Sequence, residues 1–445
     1  MEDLYQQRLD RYVTAMRNGK PDRIPIRPFA AEFTAKYAGF SCQEATHDYR
    51  KALDAVVRCA SDFDWDAVVG NMIYVWTGLT QAIGLKYYGV PGIDIPPDCG
   101  FQYLEPSENR AHMLPEEYDL LIENPTEFLF NTWLPRVSGE VCRLGEPSTW
   151  RNNLSFLKGG MAMLSYFNDL GAQGDRLRRE CGTVSAISGI LKAPMDILAD
   201  KLRGYLGLLE DLRERPDKVL EACRALAPHL THVALSGADP EKKVPISIWM
   251  HRGCVPFVNP RHFEEIYWPT LRPIIEAIWG EGHQTLFYAE GNWDAHFGAF
   301  TELPDGSIVY HVDRGDVFEA RRRLGHKFAI SGGIRNDLLA FGSEAEVRDH
   351  CKEVIDGVAA DGGYILDASA IIQNDARIEN IRAMTEFVRD YGVYPPPSPS
   401  PRTSSPNTPS ITVNSKSATN NSSPGPAPKP PSAPKSPPTT PSSPT

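Results

Sequence analysis

The chain has 445 residues, 41% hydrophobic and 23% charged, which is ordinary for a folded protein and ample for a large core. Its 57 acidic and 46 basic residues leave a net charge of −11, and no basic run exceeds Arg321–Arg323, which argues against sequence-independent nucleic-acid binding. Eight cysteines without a CxxC pair exclude a zinc ribbon and do not suggest a disulfide framework, and no stretch approaches the ~20 apolar residues of a membrane span.

In chain order, residues 1–16 (MEDLYQQRLDRYVTAM) space apolar and charged residues as a surface helix does. They hold no apolar signal core, so the expected location is the cytoplasm. Short apolar runs too brief for helices follow: 23–28 (RIPIRP), 66–71 (DAVVGN), 183–189 (TVSAISG) and 245–251 (PISIWMH). The second half adds 285–290 (TLFYAE), 307–313 (SIVYHVD), 327–333 (KFAISGG) and 363–369 (GYILDAS). Helical patterns separate them: 259–279 opens on Asn-Pro, and 316–324 and 343–360 are amphipathic. Eight strands alternating with helices predict an α/β fold, a closed (β/α)8 TIM barrel. An open doubly wound sheet is the alternative, but no GxGxxG or Walker loop follows the first run. Residues ~90–180 exceed one crossover and read as an inserted region with a hairpin near 102–106 and several helices. After Tyr394 the composition turns Pro/Ser-rich, without Asp, Glu, Cys or an aromatic residue. The expected organisation is a barrel over 1–394 and a disordered tail over 395–445.

In such a barrel the chemistry sits at the strand C-termini and the loops after them. That points to Phe29, Asn71, Trp249, His251, Arg252, Tyr288, Glu290, Asn292, His311, Asp313, Gly333, Arg335 and Asp367 as candidates. His251, Glu290 and His311 end consecutive strands, and two imidazoles with a carboxylate make a catalytic zinc set with an open position. The same three side chains would equally serve as a metal-free network of hydrogen bonds to one another and to a substrate. Gly332-Gly333 permits a tight turn or close approach to a ligand, and Arg335 would hold an anionic group.

Several segments together resemble the uroporphyrinogen decarboxylase superfamily: 8–26 (RLDRYVTAMRNGKPDRIPI), 258–275 (VNPRHFEEIYWPTLRPII), 331–355 and 362–392. The resemblance implies a (β/α)8 barrel whose members are cofactor-free decarboxylases or zinc-dependent methyltransferases working with corrinoids. The decarboxylases' Arg-rich stretch after strand one is replaced here by RPFAAEFTAKYAGF, and Asn71-Met72 stands where they carry an Asp. The thiol methyltransferases' HxC falls on Tyr288 and Glu290, and their late Cys on Ala370, so a thiolate zinc site is absent. What remains resembles the branch in which carboxylate and imidazole replace thiolates. The leading expectation is a methyltransferase moving a methyl group between a small substrate and a corrinoid on a partner protein. Glu290 and His311 would hold zinc with His251 as a third ligand, and Asp313 would orient a ligand or act as general base. The rivals are decarboxylation of a tetrapyrrole-like acid without cofactor, with Arg252 and Arg335 binding carboxylates, and a non-enzymatic binding subunit for a corrinoid protein.

Overall fold

Among the described residues ten strands carry the fold: β1 Ala67–Val68, β2 Tyr88–Gly89, β3 Gln102–Tyr103, β4 Val184–Ser185, β5 Gly189–Lys192, β6 Ile246–Met250, β7 Thr285–Ala289, β8 Ile308–Val312, β9 Ala329–Gly332 and β10 Tyr364–Ile365. The computed structural model describes residues 1–70, 77–100, 102–106 and 111–395. Asn71 and, beyond Pro395, the tail expected to be disordered lie outside the described residues. One compact unit spans Met1–Pro396.

Strands β5 to β10 form a six-stranded sheet in chain order, every neighbouring pair parallel. β1 and β4 pair in parallel apart from it. The first apolar run links the two groups. Arg27 N donates to Leu366 O at 2.9 Å and Val69 N to Pro28 O at 3.2 Å. Only isolated bridges form there, Ile26 to Leu366 and Phe29 to Val69. Pro25 and Pro28 lack the amides a full ladder needs. The third run bends: β4 pairs back to β1, while β5, four residues on, pairs forward to β6. All eight expected runs are therefore extended segments with parallel neighbours. The third reaches Lys192 instead of stopping at Gly189.

Side chains alternate across the strands. Phe287, Tyr310 and Ile330 pack with the helices in the larger core, together with Ile274, Leu324 and Val354. Leu286, Tyr288, Val309, Ala329 and Ile365 gather on the opposite face with Phe29 and Val184.

The expected helices appear with their caps. Asn259 Oδ1 accepts from His262 N at 2.8 Å and opens Pro260–His262, a wider π turn over Phe263–Tyr267 and then Trp268–Gly280. Asp316 caps Val317–Leu324, and Ser343 forms a capping box with Glu346 ahead of Glu344–Val358. The inserted region holds the antiparallel pair β2–β3 and the 27-residue helix Trp150–Arg176. No described helix is long and apolar enough to cross a membrane.

Candidate active site

Register places one row of side chains level across five strands: Lys192, Trp249, Tyr288, His311 and Ser331. Carried one step past the ends of β6, β7 and β8, the period of two puts His251, Glu290 and Asp313 on the same face, nearer the C-terminal ends. Phe29, Trp249 and Tyr288 close on one another edge to face, with ring centroids 5.3 to 5.8 Å apart. They form an apolar wall beneath the carboxylates.

Glu290 accepts from the indole Nε1 of Trp249. Asp313 Oδ2 accepts from Gly291 N at 2.8 Å. Gly291 has φ +97°, and a Cβ there would stand 2.5 Å from Cys254 Sγ, so glycine lets the amide reach Asp313. Burial pushes the Asp313 carboxyl up to about 6, and the Glu290 charge adds to this against the Gly291 amide and Arg314. A carboxyl poised there can give or take a proton near neutral pH.

His311 is fully buried and stacks on Tyr288 at 4.2 Å. Its Nε2 faces the Ser369 carbonyl at 2.8 Å, so Nε2 carries the proton and Nδ1 accepts from the Ser331 hydroxyl at 3.0 Å. That hydroxyl in turn receives Arg27 Nη2 at 3.0 Å. Burial, helped by the Arg27 charge, pushes the imidazole down to about 3 and keeps it neutral. Arg27 lies 3.2 Å from Asp367 Oδ2, both fully buried. Asp367 Oδ1 takes the amides of Phe29 and Ala368 at 3.0 and 2.8 Å. Burial pushes Asp367 up to about 7 against Arg27 and these amides.

The expected zinc set does not come together. Both nitrogens of His311 are committed to Ser331 and Ser369, His251 Nε2 sits on Asp200 Oδ2 at 2.8 Å, and Glu290 is turned to Trp249. Among the described residues no three His, Cys, Asp or Glu side chains form a group that could hold a metal ion. The alternative network does not form either: the three side chains bond to separate partners and not to one another.

His251 and Arg252 belong to a second polar group around Asp200, which receives Lys192 Nζ at 2.7 Å and Arg252 Nε at 2.9 Å. Despite burial, Lys192, His251 and Arg252 hold the Asp200 carboxyl well below the usual carboxylate range. Asp196, fully buried, takes the Arg252 amide at 2.6 Å and the Tyr267 hydroxyl at 2.8 Å, and burial raises it. Lys201 lies 4.2 to 4.5 Å from the ring centroids of Tyr87, Tyr88 and Tyr103, and burial drives its amine well below the ordinary lysine range. Sequence reasoning missed Lys192, Asp196, Asp200 and Lys201. The signal was present in MDILADK, residues 195–201, where two carboxylates four apart interrupt a helix of Leu, Ile and Ala directly after a strand.

Two other expected residues stand apart. Arg335 is exposed and bound to Asp337 two residues on, so it does not reach the carboxylates. Asn292 is exposed, bridges Val255 through its backbone, and its Oδ1 accepts from Asp294 N. The glycine pair serves the backbone, and no ligand approach is needed to explain it. Gly332 has φ +84°, and a Cβ there would meet Val312 O at 2.4 Å. Gly333 has φ +87°, and its Cβ would meet Val317 at 2.9 Å. Gly332→Ala should therefore destabilise the fold by about 2 kcal/mol or more, read as a lower urea midpoint at unchanged slope. An unchanged midpoint would show that the turn relaxes.

The uroporphyrinogen decarboxylase (URO-D) family model matches residues 172–391, from ahead of β4 to the end of the last helix. No curated protein matches the chain. Among solved structures, a methyltransferase from Methanosarcina mazei superposes with a TM-score of 0.51 at 14% identity, over 86% of this chain and 98% of that one. At that identity the likeness speaks for the fold alone. The family match and the parallel α/β fold agree: residues 172–391 carry a uroporphyrinogen decarboxylase (URO-D) domain.

Proposed function

We propose that the protein is a (β/α)8-barrel methyltransferase that moves a methyl group between a small oxygen- or sulfur-bearing compound and a corrinoid carried by a second protein. The observation that carries this reading is Asp313, a carboxyl raised to about 6 beside Glu290 and over an aromatic wall. When a methyl–oxygen bond breaks, its electron pair stays on oxygen, and protonated Asp313 delivers the proton that neutralises it. In the opposite direction ionised Asp313 takes the proton from the thiol or hydroxyl that receives the methyl group. Burial holds Asp313 in its proton-rich range, and Glu290, fixed by Trp249, adds charge repulsion to it. Phe29, Trp249 and Tyr288 offer the apolar surface that shelters a methyl group from water. The corrinoid supplies the nucleophilic cobalt. Because the zinc ligand set does not fit, electrophilic assistance is assigned to the Asp313 proton. The fold shared with a methyltransferase is consistent with this reading.

Methylcobalamin as donor, with a panel of small thiols and phenols as acceptors, tests the proposal under anaerobic conditions. Methylated product dependent on the protein is expected. Absence of methylated product across the panel, with release of carbon dioxide from a tetrapyrrole acid, would contradict it. That second reaction is the alternative favoured by the cations Lys192 and Arg252 on one rim of the site, where they could meet substrate carboxylates.

A further inference from the structure

The helix Trp150–Arg176 is amphipathic in the reverse sense. Its inward stripe is small or polar: Ser155, Gly159, Tyr166 and Gln173 are its buried residues. Its outward stripe is Trp150, Leu154, Leu157, Met161 and Leu164, 45% to 80% exposed and spaced four, three, four and three residues apart. That is the seam spacing by which two helices interlock. Phe156 and Phe167 widen it on one flank, both about half exposed. Seven large side chains at that exposure present on the order of 800 Å², more than the apolar patch of a typical monomer and close to one side of a standard interface.

We propose that this face is the contact by which two copies of the chain associate, their 150–176 helices packing antiparallel about a two-fold axis near residue 159. A self-complementary patch satisfies two-fold symmetry directly. The direction follows from charge. Arg151 and Lys158 lie in the first half of the helix, and Asp169, Asp175 and the closing Arg176 in the second. About that axis Asp169 of one helix falls near Arg151 of the other and the helix dipoles oppose favourably, whereas parallel packing sets like charges and dipoles side by side. The inference is independent of the reaction proposed above.

The test uses the full chain. Sedimentation should give a dimer at about 10 μM, as a contact of this area supports. Met161→Glu, at an exposed position, should shift it to monomer with an unchanged circular dichroism spectrum. Met161→Cys lies near the axis and should cross-link two chains under mild copper-catalysed oxidation. Trp150→Cys, which the axis would hold on the order of 25 Å from its mate, should cross-link no more than the unsubstituted protein. A monomeric parent, a dimer that survives Met161→Glu, or equal cross-linking at both positions would overturn the proposal. So would a monomer whose helix content falls on Met161→Glu, because the face would then be covered by the chain itself.

Discussion

Asp313→Asn should lower the methyl-transfer rate by about 10²- to 10⁴-fold, the range for removing a positioned general acid or base. The amide keeps an oxygen to accept from Gly291 N, so the loop after β7 should hold its place. What disappears is the transferable proton. The melting transition should therefore move little, since the substitution opens no cavity and strands no charge. Asp313→Glu should recover part of the rate with a displaced pH profile. A variant within a few-fold of the parent would show that the proton is carried elsewhere. Glu290→Gln should act more mildly on the same step. It removes a charge that helps raise Asp313, so the pH at which Asp313 titrates should fall.

The stability that His311 contributes should be lost in acid. In the folded state this imidazole is neutral, with its protonation pushed down to about 3 by burial and by Arg27. In the unfolded chain it titrates near 6.5. Below about pH 6.5 the unfolded state binds a proton that the folded state refuses until about pH 3. Stability is full above that window and is lost as pH falls through it, by on the order of 4 kcal/mol at the bottom. His296, pushed down to about 4 by burial, adds a smaller effect of the same sign. His311→Gln isolates the larger one. Its amide can donate to Ser369 O and its carbonyl can accept from Ser331, but it does not titrate. Between pH 7 and pH 4 the urea midpoint of the parent should fall relative to that of His311→Gln, because the raised carboxyls of Asp313 and Asp367, which change stability with the opposite sign, act alike in both proteins. The same difference in both proteins would place the acid sensitivity outside His311.

The strands were legible because each is a short apolar run rich in Val, Ile or aromatics between polar breaks. β7 and β8 appear within a residue or two of the runs 285–290 and 307–313. The third run was ended at Gly189, whereas after a bend at Ser188 the chain is extended again to Lys192. That error hid Lys192 and, with it, the polar group around Asp200. Inward orientation was the open point for His311 and Glu290, since a one-residue slip turns a strand side chain to the other face. The pairing Tyr288 to His311 places both residues on the Tyr288 face. The metal set failed on a property sequence cannot carry, the second partner of each nitrogen. Ser331 and Ser369 are 20 and 58 residues from His311, and only the assembled strands bring them to its ring. Arg335 failed for a local reason, because Asp337 two residues on is a nearer partner than any distant substrate group.

The most direct measurement is the pH dependence of methyl transfer to cob(I)alamin from a small methoxy-aromatic compound, by full-length protein treated with chelator. The account predicts transfer that survives the chelator and declines as pH rises through about 6, where Asp313 loses its proton. Transfer abolished by chelation and restored by zinc, or a rate flat across that range, would contradict it.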